Sequence, residues 1–258
     1  MDTYKTLKLG LLFIALTIIT PFVKAQDYTT DLIGIQKVYI ESETTIVLKS
    51  HDLDQLLINE IENFRTLVPE KANGLQSFQG QGSDNTGYGV AVSKGGSALK
   101  LTGLRDRRTA NLVVYVPKNM DVSLKTLGNN DLIVTNFISE IEAKTYNGDI
   151  YLYNVTGPII AESKVGNINV LFDEINQSSP ISIISSNGDV DITLPENSKA
   201  DLTIRTPRGE LYTDFDLLKT ESNADQIVER RTLQTKLNGG GVLVILQTLK
   251  GNLFLRKK

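Results

Sequence analysis

One twelve-residue pattern recurs in the second half of the chain and constrains the fold more than any other feature. It reads apolar-x-apolar-x-[Ser/Thr]-x-x-Gly-[Asp/Asn/Glu]-apolar-x-apolar. Its copies span residues 141–152, 159–170, 181–192, 202–213 and 244–255, with a looser copy at 122–134. Alternation of apolar and polar residues is typical of β-strands. Each copy therefore predicts two short strands joined by a corner that contains glycine.

The spacing of the corner glycines indicates how the copies are arranged. Gly148, Gly166, Gly188, Gly209 and Gly251 are separated by 18, 22, 21 and 42 residues, and we interpret the last spacing as two periods. A unit of about 20 residues cannot bury its apolar face alone, so neighbouring units must stack. The sequence predicts an all-β fold, a β-solenoid with regular coils from about 120 to 258. We expect each glycine to supply a positive φ, and the Asp or Asn beside it to bond the local backbone.

The alternation also predicts which side chains face the core, because successive residues of a strand point to opposite faces. The predicted inward residues are Ile141, Ala143, Ile150, Leu152, Ile159, Ala161, Ile168, Val170, Ile181, Ile183, Val190, Ile192, Leu202, Ile204 and Leu211.

The first half of the chain is rich in predicted strands but less regular. Short strands are predicted at 38–48, 55–60, 87–92, 98–101 and 110–116, separated by turn-forming stretches. Between 216 and 237 the alternation gives way to polar and charged residues, which predict a loop or short helix that bulges from the stack.

The first 25 residues predict export. Lys5 and Lys8 precede an apolar run at 9–19 and then Pro21, which is the pattern of a signal peptide. Cleavage after Ala25 would leave residues 26–258 as a single domain in the periplasm, on the outer surface or outside the cell. An uncleaved anchor is the alternative, but the apolar run is shorter than the about 20 residues that span a bilayer. No later stretch is long enough to do so, and the chain has no cysteine for disulfides or for a lipoprotein's acyl group.

Charge argues against a nucleic-acid partner. The formal net charge is −3, whereas binding to phosphates needs a clustered basic surface. Arg105, Arg107 and Arg108 form such a cluster, which a solvated loop explains.

The residues that most enzymes use are scarce. His51 is the only histidine, and it lies in a predicted turn, so neither a Ser-His-Asp triad nor a catalytic zinc site is expected. Gly95-Gly96 and the glycines at 239–241 lack the context of a phosphate-binding loop and are predicted to be turns. A column of corner residues could offer oxygen ligands to Ca²⁺, but their role as turn formers explains them, so no metal or cofactor is expected. These corner residues are Asp149, Asn167, Asp189, Glu210 and Asn252.

The assembled pattern resembles the DUF4097 family of adhesin-like β-strand repeat proteins of bacterial envelopes, which is frequent in Bacteroidetes. The motifs that carry the resemblance are VVYVPKN at 113–119, the [Ser/Thr]-x-x-Gly-[Asp/Asn] corners, LNGGG at 237–241 and LKGNLFLRK at 249–257. The resemblance covers nearly all of residues 26–258. It implies an exported repeat domain with an adhesive role and brings no catalytic residues with it.

The leading hypothesis is a non-catalytic envelope protein that presents the faces of its stack to a glycan or to another envelope protein. A polysaccharide-processing enzyme would need convergent carboxylates, and only Asp191 and Asp214 recur on an outward face. An envelope sensor or assembly partner is a third reading, which the sequence does not separate from adhesion.

Aromatic residues mark a candidate binding surface. Tyr151, Tyr212 and Phe254 occupy the outward position three residues after their corner glycines. Rings offer a large and stiff contact area for a sugar or a protein. With coils about 4.8 Å apart, Tyr151 and Tyr212, three coils apart, are expected to lie about 14 Å from each other.

Overall fold

The computed structural model describes residues 27–59, 83–104, 111–217 and 232–258, and every regular element in these ranges is a β-strand. The signal peptide predicted at 1–25 and the arginine cluster at 105–108 lie outside the described residues. The strands are β1 (Tyr28–Asp31), β2 (Lys37–Ser42), β3 (Ile46–His51), β4 (Gln55–Asn59), β5 (Val90–Gly95), β6 (Ala98–Gly103), β7 (Leu112–Pro117), β8 (Asp121–Thr126), β9 (Leu132–Phe137), β10 (Ile141–Thr145), β11 (Ile150–Val155), β12 (Ile159–Ser163), β13 (Ile168–Phe172), β14 (Ile181–Ser185), β15 (Val190–Leu194), β16 (Ala200–Arg205), β17 (Leu211–Thr213), β18 (Thr232–Leu237), β19 (Val242–Thr248) and β20 (Leu253–Lys257).

The strands form two sheets of ten. Sheet A has the order β1-β4-β7-β3-β9-β11-β13-β15-β20-β17, and sheet B has the order β18-β16-β19-β14-β12-β10-β8-β2-β6-β5. Each regular coil places one strand in sheet B, turns at its corner glycine and places the next strand in sheet A, and equivalent strands pair in parallel. The predicted all-β solenoid fold is therefore confirmed.

The core lies between the two sheets and consists of aliphatic side chains with a few phenylalanines. Every residue that the sequence analysis placed inside is buried except Leu211, which is partly buried in the short strand β17. The period-two alternation therefore predicted the core of the regular coils correctly.

The order of coils in space differs from their order in the chain. The coil formed by β19 and β20 pairs with β14 and β15 on one side and with β16 and β17 on the other. The expectation that the last glycine spacing represents two further periods along the stack is therefore wrong. An early coil is inserted in the same way, because β2 and β3 lie between β6–β7 and β8–β9.

Antiparallel strands flank the stack at both ends. β5 pairs with β6, β4 with β7 and β1 with β4 at one end, and β18 pairs with β16 at the other. The interpretation of 216–237 as a loop or helix is wrong for Thr232–Leu237, which is strand β18, and residues 218–231 lie outside the described residues. The strand predicted at 38–48 is two strands, β2 and β3, joined by a corner.

The corner glycines are explained by close packing rather than by φ. None of Gly148, Gly166, Gly188, Gly209 and Gly251 has a positive φ, so the expectation of a left-handed corner is wrong. A Cβ on Gly188 would overlap the carbonyl group of Gly166 and would lie 2.7 Å from the nitrogen of Asn167. The same overlap recurs at each of these corners, so the motif keeps glycine because the backbone of the neighbouring coil occupies the space of a side chain.

The Ser or Thr three residues before each glycine joins two coils. Ser185 Oγ accepts the N–H of Gly188 at 2.9 Å and donates to the carbonyl of Gly166 in the neighbouring coil at 2.9 Å. Thr248 forms the equivalent pair with Gly251 and Gly188 at 3.0 and 2.7 Å. These hydroxyls are buried and fully engaged, which satisfies backbone groups at the corner that water cannot reach.

Candidate functional site

The column of corner carboxylates and amides is a hydrogen-bond ladder between coils. The Oδ1 atom of each Asp or Asn accepts the backbone N–H of the equivalent residue in the next coil, at 2.7 to 3.1 Å, and Glu210 donates the last of these bonds. These bonds run between coils, whereas the sequence analysis expected bonds to the local backbone. No cluster of three or more His, Cys, Asp or Glu suited to a metal occurs in the described residues. In spatial order, the ladder is Asp131, Asp149, Asn167, Asp189, Asn252 and Glu210.

The predicted aromatic positions form one row on the outer face of sheet A. The pairing of the strands gives the order of residues along this row, in which each residue lies beside the next: Tyr151, Asn169, Asp191, Phe254 and Tyr212. Because the late coil is inserted, Phe254 separates Asp191 from Tyr212. Tyr151 and Tyr212 are thus four strand spacings apart, about 19 Å rather than the expected 14 Å.

Two ring pairs occupy the ends of this row. Tyr212 and Phe254 are stacked across neighbouring strands, with ring centroids 5.2 Å apart and planes at 13°. Tyr151 stacks on Tyr153 of its own strand at 6.2 Å and 19°. Tyr212 is 52% exposed and Tyr153 is 39% exposed, so both pairs are accessible at the surface. We call this surface the aromatic face.

An ion pair lies between the two ring pairs. Arg256 donates from Nε and Nη2 to the two carboxylate oxygens of Asp191 at 2.8 and 3.0 Å. The hydrogen bond and charge of Asp191 raise the pKa of Arg256 above its ordinary value. The guanidinium also lies over the ring of Phe254, 5.3 Å from its centroid. The middle of the aromatic face is therefore polar but carries little net charge.

Sequence reasoning missed Tyr153, Arg256 and the contact between Phe254 and Tyr212. Tyr153 and Arg256 stand five residues after their corner glycines, just beyond the end of the twelve-residue pattern. The row continues beyond Tyr151 with Ile133, which a comparison with the looser copy of the motif would have found. The contact between Phe254 and Tyr212 depends on the coil insertion, so no local pattern indicates it.

Tyr151 is expected to stay protonated well above the pH at which an ordinary tyrosine ionises. Burial and a hydrogen bond to Asp149 Oδ2 at 3.0 Å raise the pKa of Tyr151 to about 12. The folded chain holds this proton more tightly than the unfolded chain, whose tyrosines ionise near pH ~10. The stabilising contribution is therefore complete below pH ~10 and is lost as the pH rises toward 12. Ultraviolet titration of the folded protein should show a late transition that Tyr151→Phe removes.

Asp149→Asn is a matched variant for this titration. An asparagine keeps the Oδ1 acceptor of the ladder, as Asn167 does in the next coil, but removes the charge beside the phenol. We expect the pKa of Tyr151 to fall toward its ordinary value while the melting temperature changes little. An unchanged late transition in Asp149→Asn would contradict the role given to the carboxylate.

The other residues considered for chemistry have structural partners. His51 Nε2 lies 2.7 Å from the carbonyl oxygen of Gln55, and its ring meets Tyr115 edge-on. Asp214 Oδ1 accepts the backbone N–H of Lys257 at 2.9 Å. Gly96, Gly239 and Gly240 have positive φ and lie in turns between strands.

Residues 137–248 match the family model described as Toastrack DUF4097. No curated protein matches the chain. Among solved structures, the chain is similar to a "putative cell adhesion protein" from Clostridium sporogenes, with 8% identity, coverage of 90% of this chain and 99% of that chain, and a TM-score of 0.43.

Proposed function

We propose, on the premise that residues 137–248 form a Toastrack domain of the DUF4097 family, that this protein is a non-catalytic, adhesin-like binding module of the cell envelope. The observation that carries the proposal is the aromatic face, where two exposed ring pairs flank the Asp191–Arg256 ion pair. Aromatic and arginine side chains are enriched among the residues that dominate binding energies at protein surfaces. The partner in this proposal is an envelope glycan or an envelope protein.

The geometry favours binding over catalysis. A glycosidase needs one carboxyl group to donate a proton and a second to act as base or nucleophile. Both oxygens of Asp191 are held by Arg256, and Asp214 caps the backbone of Lys257. These two acids are thus engaged in structural contacts, which argues against the polysaccharide-processing alternative.

The second candidate is an envelope sensor or assembly partner that docks to another protein. A flat sheet face suits binding to a protein as well as it suits binding to a glycan. One face of each ring in the Tyr212–Phe254 pair is turned toward the other ring, which leaves less flat area for a sugar to stack upon. Ring edges and a charge-neutral polar centre also suit a protein surface.

The proposed location is outside the cytoplasm. Residues 1–25 have the sequence of a signal peptide, and we propose that export leaves a chain that begins at Gln26. In the described part of the chain, no helix has the length and apolarity to cross a membrane.

The double variant Tyr151→Ala with Tyr212→Ala tests the proposal. The processed protein is used to capture ligands from a glycan array and from a panel of purified envelope proteins. We expect capture by the double variant to fall at least about tenfold, because each end of the aromatic face loses one ring of its pair. The melting temperature should stay within a few degrees, since both side chains lie outside the core.

The matched control removes two other exposed tyrosines, Tyr39 on sheet B and Tyr146 at a corner, which are 40% and 51% exposed. Tyr39→Ala with Tyr146→Ala should leave capture unchanged. Undiminished capture by the folded Tyr151/Tyr212 variant would exclude the aromatic face and direct attention to other surfaces.

A further inference from the structure

The outer face of sheet B carries an apolar patch. Ile160 on β12, Ile184 on β14, and Leu243 and Ile245 on β19 all point outward from neighbouring strands. Ile160 is 37% exposed and Leu243 is 40% exposed. Ser182 and Thr203 lie in the same row as Ile160 and Ile245, so no charge interrupts that row between Ile160 and Thr203, and Glu162 lies beside Ile184 at the edge of the patch.

Charges of opposite sign flank the patch in a regular way. On β16 the outward residues are Asp201, Thr203 and Arg205, so the two ends of the strand carry opposite charges. β8 repeats this arrangement with Asp121 and Lys125. Along β10, on the other side of the patch, Glu140 precedes the strand and Lys144 lies near its end. Strand β2 carries the same alternation in reverse, from Lys37 to Glu41.

This pattern is self-complementary about an axis that runs along the stack. Consider a two-fold axis that is parallel to the stack and runs along the row that contains Thr203, Ile245 and Ile160, which we call the middle row. This axis places each strand against the same strand of a second copy, with the direction of the strand reversed. Asp201 then faces Arg205, and Glu140 faces Lys144. A two-fold axis parallel to the strands through β14 would instead set Arg205 against Lys144 and Asp201 against Glu140, which is unfavourable.

The middle row itself tolerates this pairing. From β16 to β8 it consists of Thr203, Ile245, Ser182, Ile160, Glu142 and Ser123, which would each meet their own counterpart. Glu142 is the one charged member, and Lys144 Nζ at 2.9 Å and Lys37 Nζ at 4.0 Å together offset its charge. Lys144 also lowers the pKa of Glu142, mainly through this hydrogen bond.

We propose that the outer face of sheet B binds a second copy of this chain, with the two stacks antiparallel in strand direction and related by a two-fold axis along the stack. The aromatic faces of the two copies then point in opposite directions. Such a dimer presents two binding surfaces on opposite sides and can bridge two partners.

The size of the contact sets the expected affinity. The six strands from β16 to β8, at about 4.8 Å each, make the contact about 29 Å wide across the strands. Along each strand the contact is about four residues, or about 13 Å, long. This is a small interface by the standard of stable complexes, so the dimer is expected to dissociate in the micromolar range. Sedimentation velocity on the processed protein, from about 1 to about 200 µM, should show a concentration-dependent monomer–dimer equilibrium.

Two substitutions test which face is used. Ile245→Lys places two ammonium groups against each other at the axis and should weaken dimerisation at least about tenfold. Leu171→Lys, an outward residue on sheet A, is the matched control and should leave the equilibrium unchanged. If Leu171→Lys weakens dimerisation as much as Ile245→Lys, or if the unmodified protein stays monomeric throughout, the proposal is overturned.

A charge exchange on β16 tests the axis. Arg205→Asp sets two aspartates against each other in both symmetry-related contacts and should weaken the dimer about tenfold. The double variant Asp201→Arg with Arg205→Asp restores opposite charges under the proposed axis and should recover the original dissociation constant within about threefold. Failure of the double variant to recover, with its melting temperature preserved, would exclude this pairing.

Discussion

Gly188→Ala is expected to destabilise the fold by more than about 3 kcal/mol, although the substitution adds a single methyl group. The new Cβ would overlap the carbonyl group of Gly166 and would lie 2.7 Å from the nitrogen of Asn167. Neither backbone group can retreat, because hydrogen bonds on both sides fix the spacing between coils. Denaturation of the variant and the parent protein in urea measures the difference in the free energy of unfolding.

Gly95→Ala is the matched control. An ideal Cβ at Gly95 meets no heavy atom within 4 Å, and its φ is not positive. We expect a change within about 0.5 kcal/mol. If the two alanine variants were equally stable, the close approach between coils would not be the reason for the corner glycines.

Ile192→Asp is expected to prevent folding or to cost at least about 4 kcal/mol. Ile192 is fully buried in β15, among the aliphatic side chains between the two sheets. A carboxylate there loses its hydration without gaining a hydrogen-bond partner. Circular dichroism and thermal unfolding of the purified variant provide the measurement.

Thr193→Asp changes the next residue, which points to the outer face of sheet A beside Arg256. Its free energy of unfolding should change by less than about 0.5 kcal/mol, since the new carboxylate is solvated. Similar losses for Ile192→Asp and Thr193→Asp would contradict the assignment of inner and outer faces.

The core and the repeat could be predicted from sequence because both depend on local patterns. Ile183 and Ile192 follow from the period of two, and the corner positions follow from the recurring glycine. The physical reason for the glycine could not be predicted in the same way. A tight turn and a close approach to another coil both favour glycine. Only the structure of the stacked coils shows which of these two reasons applies.

The order of the coils was not predictable for a related reason. Coils that share one motif are interchangeable in their pairing, so local sequence does not specify which coil neighbours which. The contacts particular to the inserted coil join distant residues, such as Arg256 with Asp191 and Lys258 with Asp173. For the same reason, the pairing of Phe254 with Tyr212 in the aromatic face was missed.

The inserted coils imply an order of assembly that differs from the order of synthesis. As the chain emerges, β16 and β17 are available to stack on β14 and β15 before β19 and β20 have appeared. The native arrangement requires that these neighbours remain apart, or separate again, until the late coil enters between them. At the other end, β2 and β3 are made before the strands of either neighbouring coil. The segment 242–257 can therefore take its native place only after the strands on either side of it have been made.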